Sequence, residues 1–216
     1  MSQVFGSYSN VLAKVSVVGV ALLAGGGLFG LDQLWKSSYN TGQDVVREQP
    51  VPFSHKHHVA ELGIDCRYCH TSVEKSANAG FPPTQTCMNC HAQIWSQSDT
   101  LEPVRASWRT NESIQWTKVY DLPDYVYFNH SVHVAKGVGC VSCHGRVDQM
   151  NLIYQKPTLF MSWCLDCHRN PAPNLRPRSE VFNMDWQPPA DQPDLGQELV
   201  AAHQVEGRED CTACHR

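Results

Sequence analysis

The most constraining feature of this chain is a five-residue motif, Cys-x-x-Cys-His, that occurs five times and uses all ten cysteines. The cysteine pairs are Cys66/Cys69, Cys87/Cys90, Cys140/Cys143, Cys164/Cys167 and Cys211/Cys214, followed by His70, His91, His144, His168 and His215. In such a motif two thiols add to the two vinyl groups of one haem, and the adjacent histidine binds the iron from the proximal side. The repeat therefore predicts five covalently attached c-type haems.

Two other uses of paired cysteines account for this pattern less well. Zinc ribbons combine two Cys-x-x-Cys units on each metal, which suits an even number of units and does not need a histidine after each one. A disulfide framework leaves the five histidines unexplained. The net charge of −4 provides no basic field for nucleic acid or anionic lipid. Haem attachment is the interpretation that uses every residue of the motif.

An uncharged, apolar run of seventeen residues, Val15 to Leu31, lies near the start of the sequence. Lys14 precedes it, and Trp35 follows at a position that suits a membrane interface. A cleaved secretory signal is the alternative. We predict an uncleaved membrane anchor with its flanks over residues 1–36. Because c-type haem is attached outside the cytoplasmic membrane, we expect a single-pass protein of the cytoplasmic (inner) membrane, with residues 37–216 on the periplasmic, outer face.

The remainder of the sequence contains an internal repeat, which we call unit 1 (residues 53–91) and unit 2 (residues 128–168). Each unit opens with Phe-x-His-x-x-His and then carries two haem signatures. The two units are offset by 75 residues at the opening motif (130 − 55), by 74 at the first signature (140 − 66) and by 77 at the second (164 − 87). A shortened third unit, residues 203–216, has one upstream histidine and one signature.

Histidines outside the signatures predict the distal ligands of the five irons. Of the six available, we assign five and leave His57 as the spare; the assigned residues are His55, His58, His130, His133 and His203. We expect His55, His130 and His203 each to bind the haem of the signature that follows. His58 and His133 are expected to serve the haems at Cys87–His91 and Cys164–His168, in an order that the sequence leaves open. A methionine is the alternative distal ligand at one site; the candidates are Met88, Met150, Met161 and Met184.

Two stretches outside the units lack the haem motif. Residues 92–127 carry three of the six tryptophans and are expected to pack aromatic side chains against haem faces. Residues 169–202 hold six of the thirteen prolines, which predicts an extended strap, either a linker or an arm on a partner subunit.

The number of residues available for each haem limits the fold. Roughly 180 residues serve five haems, about 36 each, too few for an apolar core around every haem, so we expect the haems themselves to form the core. The expected fold is mainly α and irregular, with one N-terminal transmembrane helix and a multihaem domain with little regular secondary structure.

Phe-x-His-x-x-His ahead of Cys-x-x-Cys-His resembles the class III, cytochrome c3/c7-like multihaem cytochromes. A wider pattern resembles the pentahaem subunit of alternative complex III over nearly the whole chain. It comprises the N-terminal helix, the five signatures, "FPPTQTCMNCH" (residues 81–91), "VYDLPDYVYFNHSVH" (residues 119–133) and "SWCLDCHRNP" (residues 162–171). His57 is the one departure that we notice.

The resemblance implies an electron-transfer subunit of a membrane quinol:acceptor oxidoreductase, without a catalytic site of its own. Its partners would be an iron–sulfur subunit, polytopic quinol-binding membrane subunits and a monohaem cytochrome. Electrons would leave toward a soluble cytochrome c, a copper protein or an oxidase. Two other functions stay open: a tetrahaem-type quinol dehydrogenase that feeds a periplasmic reductase, and a multihaem oxyanion reductase. The reductase needs an open iron, and a histidine in every signature argues against one.

Overall fold

The computed structural model describes residues 4–215. Residues 1–3 of the predicted anchor and residue 216 of the predicted terminal unit lie outside this range. The chain separates into two compact parts, residues 1–43 and residues 44–216.

The N-terminal part is dominated by helix α1, Ser9–Lys36, and ends in the single turn α2, Ser38–Thr41. Helix α1 buries none of its side chains within the protein. A helix that is apolar on all sides needs an apolar environment. Its 28 residues and mean hydropathy of 2.0 make it long and apolar enough to cross a membrane.

Short helices joined by irregular segments make up residues 44–216, the larger compact part. The α-helices are α3 (Cys66–Cys69), α4 (Thr84–His91), α5 (Glu102–Thr110), α6 (His130–Ala135), α7 (Cys140–His144), α8 (Met161–Arg169), α9 (Gln192–Ala202) and α10 (Cys211–Cys214). A π-helical turn spans Lys56–Glu61, and 3₁₀ turns span Asp99–Leu101, Val147–Gln149, Ala172–Asn174 and Arg178–Glu180. Over residues 4–215 no extended strand forms, and the β pairings are isolated bridges such as that of Val46 with Tyr154. The expected fold class, mainly helical and irregular, is confirmed.

Apolar burial is sparse for a chain of this length. One cluster joins Val51, Leu101 and Val104, against which Met88 and Trp116 pack. Leu175 and Val181 are the largest side chains that are fully buried. No extended apolar core connects these positions in the described part of the chain. The packing of apolar protein side chains therefore does not by itself hold the signature helices together.

The two stretches outside the units are more regular than predicted. Residues 92–127 include helix α5, which begins beside Pro103 and ends at Asn111 in the left-handed conformation. Residues 169–202 end in the eleven-residue helix α9 rather than in an extended strap. Pro193 lies in the first turn of α9, where a missing N–H costs nothing because that group has no helical partner. Proline content therefore did not exclude a helix at this position.

The proline-rich stretch also packs on its own chain. Leu175 forms a bridge with Val138, and the Val181 carbonyl accepts a hydrogen bond from the Cys140 amide at 3.1 Å. The Arg176 amide donates to the Gly137 carbonyl at 2.9 Å. Residues 169–202 thus hold the segment that leads into the third signature.

Candidate haem-binding sites

Each signature lies on a short helix that presents its two cysteines on one face. Residues three apart on a helix are neighbours, so both sulfurs lie on the same side. None of the ten cysteines is paired in a disulfide, so every sulfur is available for attachment. Burial raises the pKa of Cys140 to about 11 and that of Cys143 to about 12, so these thiols are neutral at physiological pH. The donor set fits the covalent attachment of haem.

The protein does not enclose all ten cysteines equally. Eight cysteines are partly buried, whereas Cys90 and Cys211 are exposed. On helix α4, Cys87 packs against the Val51 cluster, and Cys90 lies three residues further along, outside that cluster. Protein therefore covers only one of the two sulfurs of the second signature. Haem attachment at Cys90 stays a prediction that rests on the motif rather than on a buried environment.

Three pairs of imidazoles face each other at nearly the same separation. An imidazole nitrogen lies about 2.0–2.1 Å from a metal that it binds, and the ring centroid lies about 1 Å further away. Two imidazoles on opposite sides of one iron therefore place their centroids about 6 Å apart. The centroid distances are 6.2 Å for His58 and His91, 6.3 Å for His130 and His144, and 6.1 Å for His133 and His168.

His55 occupies the place in unit 1 that His130 occupies in unit 2. The Phe53 and His55 rings meet edge-to-face at 4.9 Å, and the corresponding rings of Phe128 and His130 do so at 4.7 Å. Burial and, to a smaller extent, the proximity of His70 and His58 lower the pKa of His55 to about 4. His55 is therefore neutral, which is the form that binds a metal, and it lies near the proximal histidine of the signature that follows it.

Most of the predicted ligands are oriented by the same kind of hydrogen bond. In each, Nδ1 lies 2.8–3.2 Å from a backbone carbonyl oxygen, which leaves Nε2 for a metal. The histidine and acceptor residues are His58 with Ser54, His70 with Gly80, His91 with Ile94, His130 with Ala77, His133 with Asn129, His168 with Arg208, His203 with Lys136, and His215 with Tyr125.

His57, the predicted spare, differs from these residues. Its Nδ1 lies 2.8 Å from a carboxylate oxygen of Glu61, one turn further along, and both side chains are about half exposed. The eight histidines named above contact backbone carbonyl groups, whereas this one contacts a side chain at the surface. The structure thus separates His57 from the histidines predicted to bind iron.

The fifth site is assembled differently from the others. His203 and His215 are held by distant backbone segments, at Lys136 and Tyr125 respectively. Within residues 4–215 their rings do not form a close pair like those of His58 and His91. His203 as the distal ligand of the last signature therefore stays a prediction.

The candidate methionines are divided between the interior and the surface. Met150 and Met184 are buried, Met88 packs against the Val51 cluster, and Met161 is 63% exposed. For the three paired sites, an imidazole already faces each proximal histidine. A methionine ligand is thus needed at none of these three.

Tyr120 is a site residue that the sequence analysis did not single out. Its ring lies 4.4 Å from that of His144, and its hydroxyl donates to the Cys143 carbonyl at 3.3 Å. The same hydroxyl accepts a hydrogen bond from the Lys156 amide, and burial raises its pKa to about 12. Tyr120 lies inside the quoted segment of residues 119–133, but no spacing rule ties it to a signature.

Neighbouring signatures approach one another through their thiols. In four places burial raises the pKa of a thiol, and a nearby cysteine of another signature contributes to the same rise. These neighbours are Cys87 beside Cys69, Cys66 beside Cys140, Cys167 beside Cys143, and Cys214 beside Cys164. These electrostatic influences link the five signatures in one series: second, first, third, fourth and fifth. The two exposed cysteines, Cys90 and Cys211, belong to the signatures at its two ends.

These features define a multihaem c-type cytochrome, and comparison with known proteins agrees. Residues 32–115 match the class III cytochrome C family, and residues 126–216 match the family described as cytochrome c7 and related cytochrome c. The chain is also 30% identical over 145 residues to the menaquinone reductase multiheme cytochrome c subunit of Nitratidesulfovibrio vulgaris, strain Hildenborough. The alignment covers 57% of this chain and 69% of that protein. The chain belongs to the family of that multihaem cytochrome c subunit, whose members carry covalently bound c-type haem.

Proposed function

We propose that this protein binds five c-type haems, each iron lying between two imidazoles, and relays electrons within a membrane-bound quinone oxidoreductase. The observation that carries the proposal is the recurring centroid separation of about 6 Å, which is the spacing that one iron between two imidazoles requires. The ten cysteines and the five signature histidines supply the attachment and proximal sides. His55, His58, His130, His133 and His203 supply the distal sides.

The pairing of the distal histidines follows from these contacts. His58 serves the signature that ends at His91, and His133 serves the one that ends at His168. His130 serves the signature that ends at His144, and by the repeat His55 serves the one that ends at His70. Each Phe-x-His-x-x-His motif thus holds two different haems on one helical turn, which brings the two close together.

The protein residues determine what the haems can do. Each bound haem supplies a one-electron redox couple. Two imidazoles bound to each iron would leave no place for a substrate, which favours electron transfer over oxyanion reduction. The electrostatic influence between thiols of neighbouring signatures supports an order of electron transfer of second, first, third, fourth and fifth. The second and fifth signatures are then the ends at which partners exchange electrons.

The finer assignment is to a complex of the alternative complex III type, which the wider sequence resemblance favours. Helix α1 anchors the protein in the cytoplasmic membrane, and the haem domain lies on the periplasmic side. Quinol is oxidised in polytopic membrane subunits, and electrons pass through an iron–sulfur subunit to this protein. They leave through a monohaem cytochrome to a soluble cytochrome c, a copper protein or an oxidase.

A second candidate is a subunit of a menaquinone reductase, which the 30% identical relative favours. The haem line would then carry electrons toward the quinone rather than away from it. The two candidates share every haem ligand and differ only in the direction of electron flow.

Anaerobic stopped-flow spectroscopy on the complex purified from membranes separates the two. For the alternative complex III type we expect added quinol to reduce the haems before any acceptor is present, and a quinol-site inhibitor to block this reduction. If quinol leaves the haems oxidised, while pre-reduced haems are oxidised by added quinone, the menaquinone reductase direction is correct. Carbon monoxide added to the reduced complex tests for an open iron, and an optical shift would favour an oxyanion reductase.

A further inference from the structure

Two histidines that the proposed function assigns to different haems are oriented by the same short loop, residues 71–80. His70 ends the first signature, and its Nδ1 lies 2.9 Å from the Gly80 carbonyl oxygen. The Nδ1 of His130, the partner of the third signature, lies 2.8 Å from the Ala77 carbonyl oxygen. The His130 amide donates to that same carbonyl at 3.2 Å, so Ala77 holds both the backbone and the ring of this residue.

The loop also fixes the start of helix α6, which carries His130. The Ser131 amide donates to the Ser76 carbonyl at 3.2 Å. Helix starts leave amide groups without helical partners, and carbonyls from elsewhere satisfy them here. The loop lies about 50 residues before α6 in the sequence, so the contact is a tertiary one.

Asn78 connects the two carbonyl groups. It lies between Ala77 and Gly80, and its Oδ1 accepts a hydrogen bond from the Gly80 amide at 2.9 Å. Its own carbonyl accepts from the Ser72 hydroxyl at 2.8 Å, which closes the loop on itself. Gly80 has a φ of +77°, so its carbonyl direction depends on a conformation that other residues rarely adopt. A change at Asn78 therefore moves both carbonyl acceptors at once.

We propose that loop 71–80 is a shared positioning element that sets the reduction potentials of the first and third haems together. The inference rests on the proposed function, in which His70 and His130 bind two different irons. A hydrogen bond from Nδ1–H to a carbonyl makes the imidazole a stronger donor and stabilises the oxidised iron, which lowers the potential. Weakening both bonds raises both potentials.

The test is Asn78→Ala in the full-length protein, purified with its complex and examined by a redox titration followed by electron paramagnetic resonance. We expect two of the five low-spin ferric signals to change position and to titrate at higher potential. At the original midpoint of each, the ratio of reduced to oxidised haem should rise at least about twofold. The other three signals should stay unchanged. A shift of one signal, of none or of all five would overturn the proposal.

Two further variants make the result specific. Asn78→Asp keeps the acceptor for the Gly80 amide and should restore both signals. Thr110→Val removes a bond of the same kind, from the Glu112 amide to Oγ1 at 3.3 Å, in a turn that gives no carbonyl to an imidazole in the described residues. It should leave all five signals in place. If Asn78→Ala fails to assemble, Ser72→Ala loosens the same loop and must give the same two shifts.

Haem content separates this inference from the function on which it rests. Fewer than five haems per chain in the unmodified protein, by pyridine haemochrome assay, would overturn the proposed function. Five haems with unchanged potentials in Asn78→Ala would overturn only the role of the loop.

Discussion

Unit 1 and unit 2 build the same histidine geometry from different backbones. The Phe53 and His58 rings stack at 4.3 Å, and the Phe128 and His133 rings at 4.6 Å. The second histidine of each motif meets its signature histidine at 6.2 Å in unit 1 and at 6.1 Å in unit 2, with interplanar angles of 64° and 61°. In unit 2 both histidines lie on α-helix α6, whereas in unit 1 His58 lies on the π-helical turn Lys56–Glu61 and His55 immediately precedes that turn.

The difference in helix type follows from one extra residue. The offset between the units falls from 75 at the histidines to 74 at the first signature, so unit 1 has one more residue between them. A π-helical turn accommodates an inserted residue, and the Leu62 amide donates to the His57 carbonyl, five residues back, at 3.1 Å. The phenylalanine stack and the first helical turn, not the helix type, fix the histidines.

Gly63 and Gly137 end the two turns in equivalent positions, with φ of +70° and +87°, but their surroundings differ. A Cβ on Gly63 would meet no atom within 4 Å. A Cβ on Gly137 would lie 2.5 Å from the Arg176 carbonyl oxygen and 3.1 Å from His203. Unit 2 is therefore enclosed by residues 169–202 at a point where unit 1 is open.

The largest expected effect is the loss of a distal ligand. His58→Ala and His133→Ala should each convert one of five haems from low-spin to high-spin and allow it to bind carbon monoxide when reduced. His57→Ala, one residue from His58, should change no haem, because its ring faces Glu61. Magnetic circular dichroism of the oxidised protein gives the count of high-spin haems. A high-spin haem in His57→Ala would reverse the assignment within unit 1.

Glycine substitution should distinguish the enclosed unit from the open one. Gly63→Ala should cost about 1 kcal/mol, because the left-handed conformation is unfavourable for alanine. Gly137→Ala should cost about 3 kcal/mol or more, because a clash with backbone is added. Urea unfolding followed by far-ultraviolet circular dichroism measures both changes. Equal costs would mean that residues 169–202 do not enclose unit 2 in solution.

An ion pair after the third signature should make unit 2 sensitive to acid. Asp148 is buried, and hydrogen bonds from Arg146 lower its pKa. The contribution of Asp148 to the free energy of unfolding is therefore present above the pKa of about 4 that this carboxyl has in the unfolded chain. It is lost as the pH falls through the lower pKa of the folded protein. Asp148→Asn should cost about 1–2 kcal/mol at pH 7 and progressively less below about pH 4.

Glu74 occupies the equivalent position of unit 1 and serves as the control. Its contact with Arg67 is 4.0 Å long and exposed. Glu74→Gln should change the free energy of unfolding by less than about 0.5 kcal/mol at any pH. Urea unfolding at pH 7, 5, 4 and 3 provides the comparison, and a difference for Asp148→Asn that is independent of pH would refute the role of the charge.

Deletion of Leu62 should have the smallest effect. It removes the extra residue of unit 1 and should convert the π-helical turn into an α-helix like α6. We expect five low-spin haems and a change of less than about 1 kcal/mol in the free energy of unfolding. Loss of the low-spin signal of either haem held by unit 1 would show that the π-helical turn itself is needed.

Spacing made the signatures and the histidine pairs predictable, because both depend on residues three apart on one helical turn. The π-helical turn was implicit in the change of offset from 75 to 74. Helix α9 differs from the predicted strap because a proline in the first turn is compatible with a helix, and the number of prolines alone does not indicate where they lie. The exposure of Cys90 had no sequence signal either, because the motif is the same in all five signatures and only tertiary packing distinguishes them.

No sequence pattern indicates that the carbonyl groups of Ala77 and Gly80 contact imidazoles. Every residue carries a carbonyl, and only the fold selects which one meets an imidazole.

The most direct test of the account is the intact mass of the purified polypeptide under denaturing, reducing conditions. Five covalent haems predict the mass of the chain plus five haem groups, which persists after acid and organic solvent have removed every non-covalent ligand. A mass with fewer haem groups, or one that matches the bare chain, would contradict the assignment of all ten cysteines.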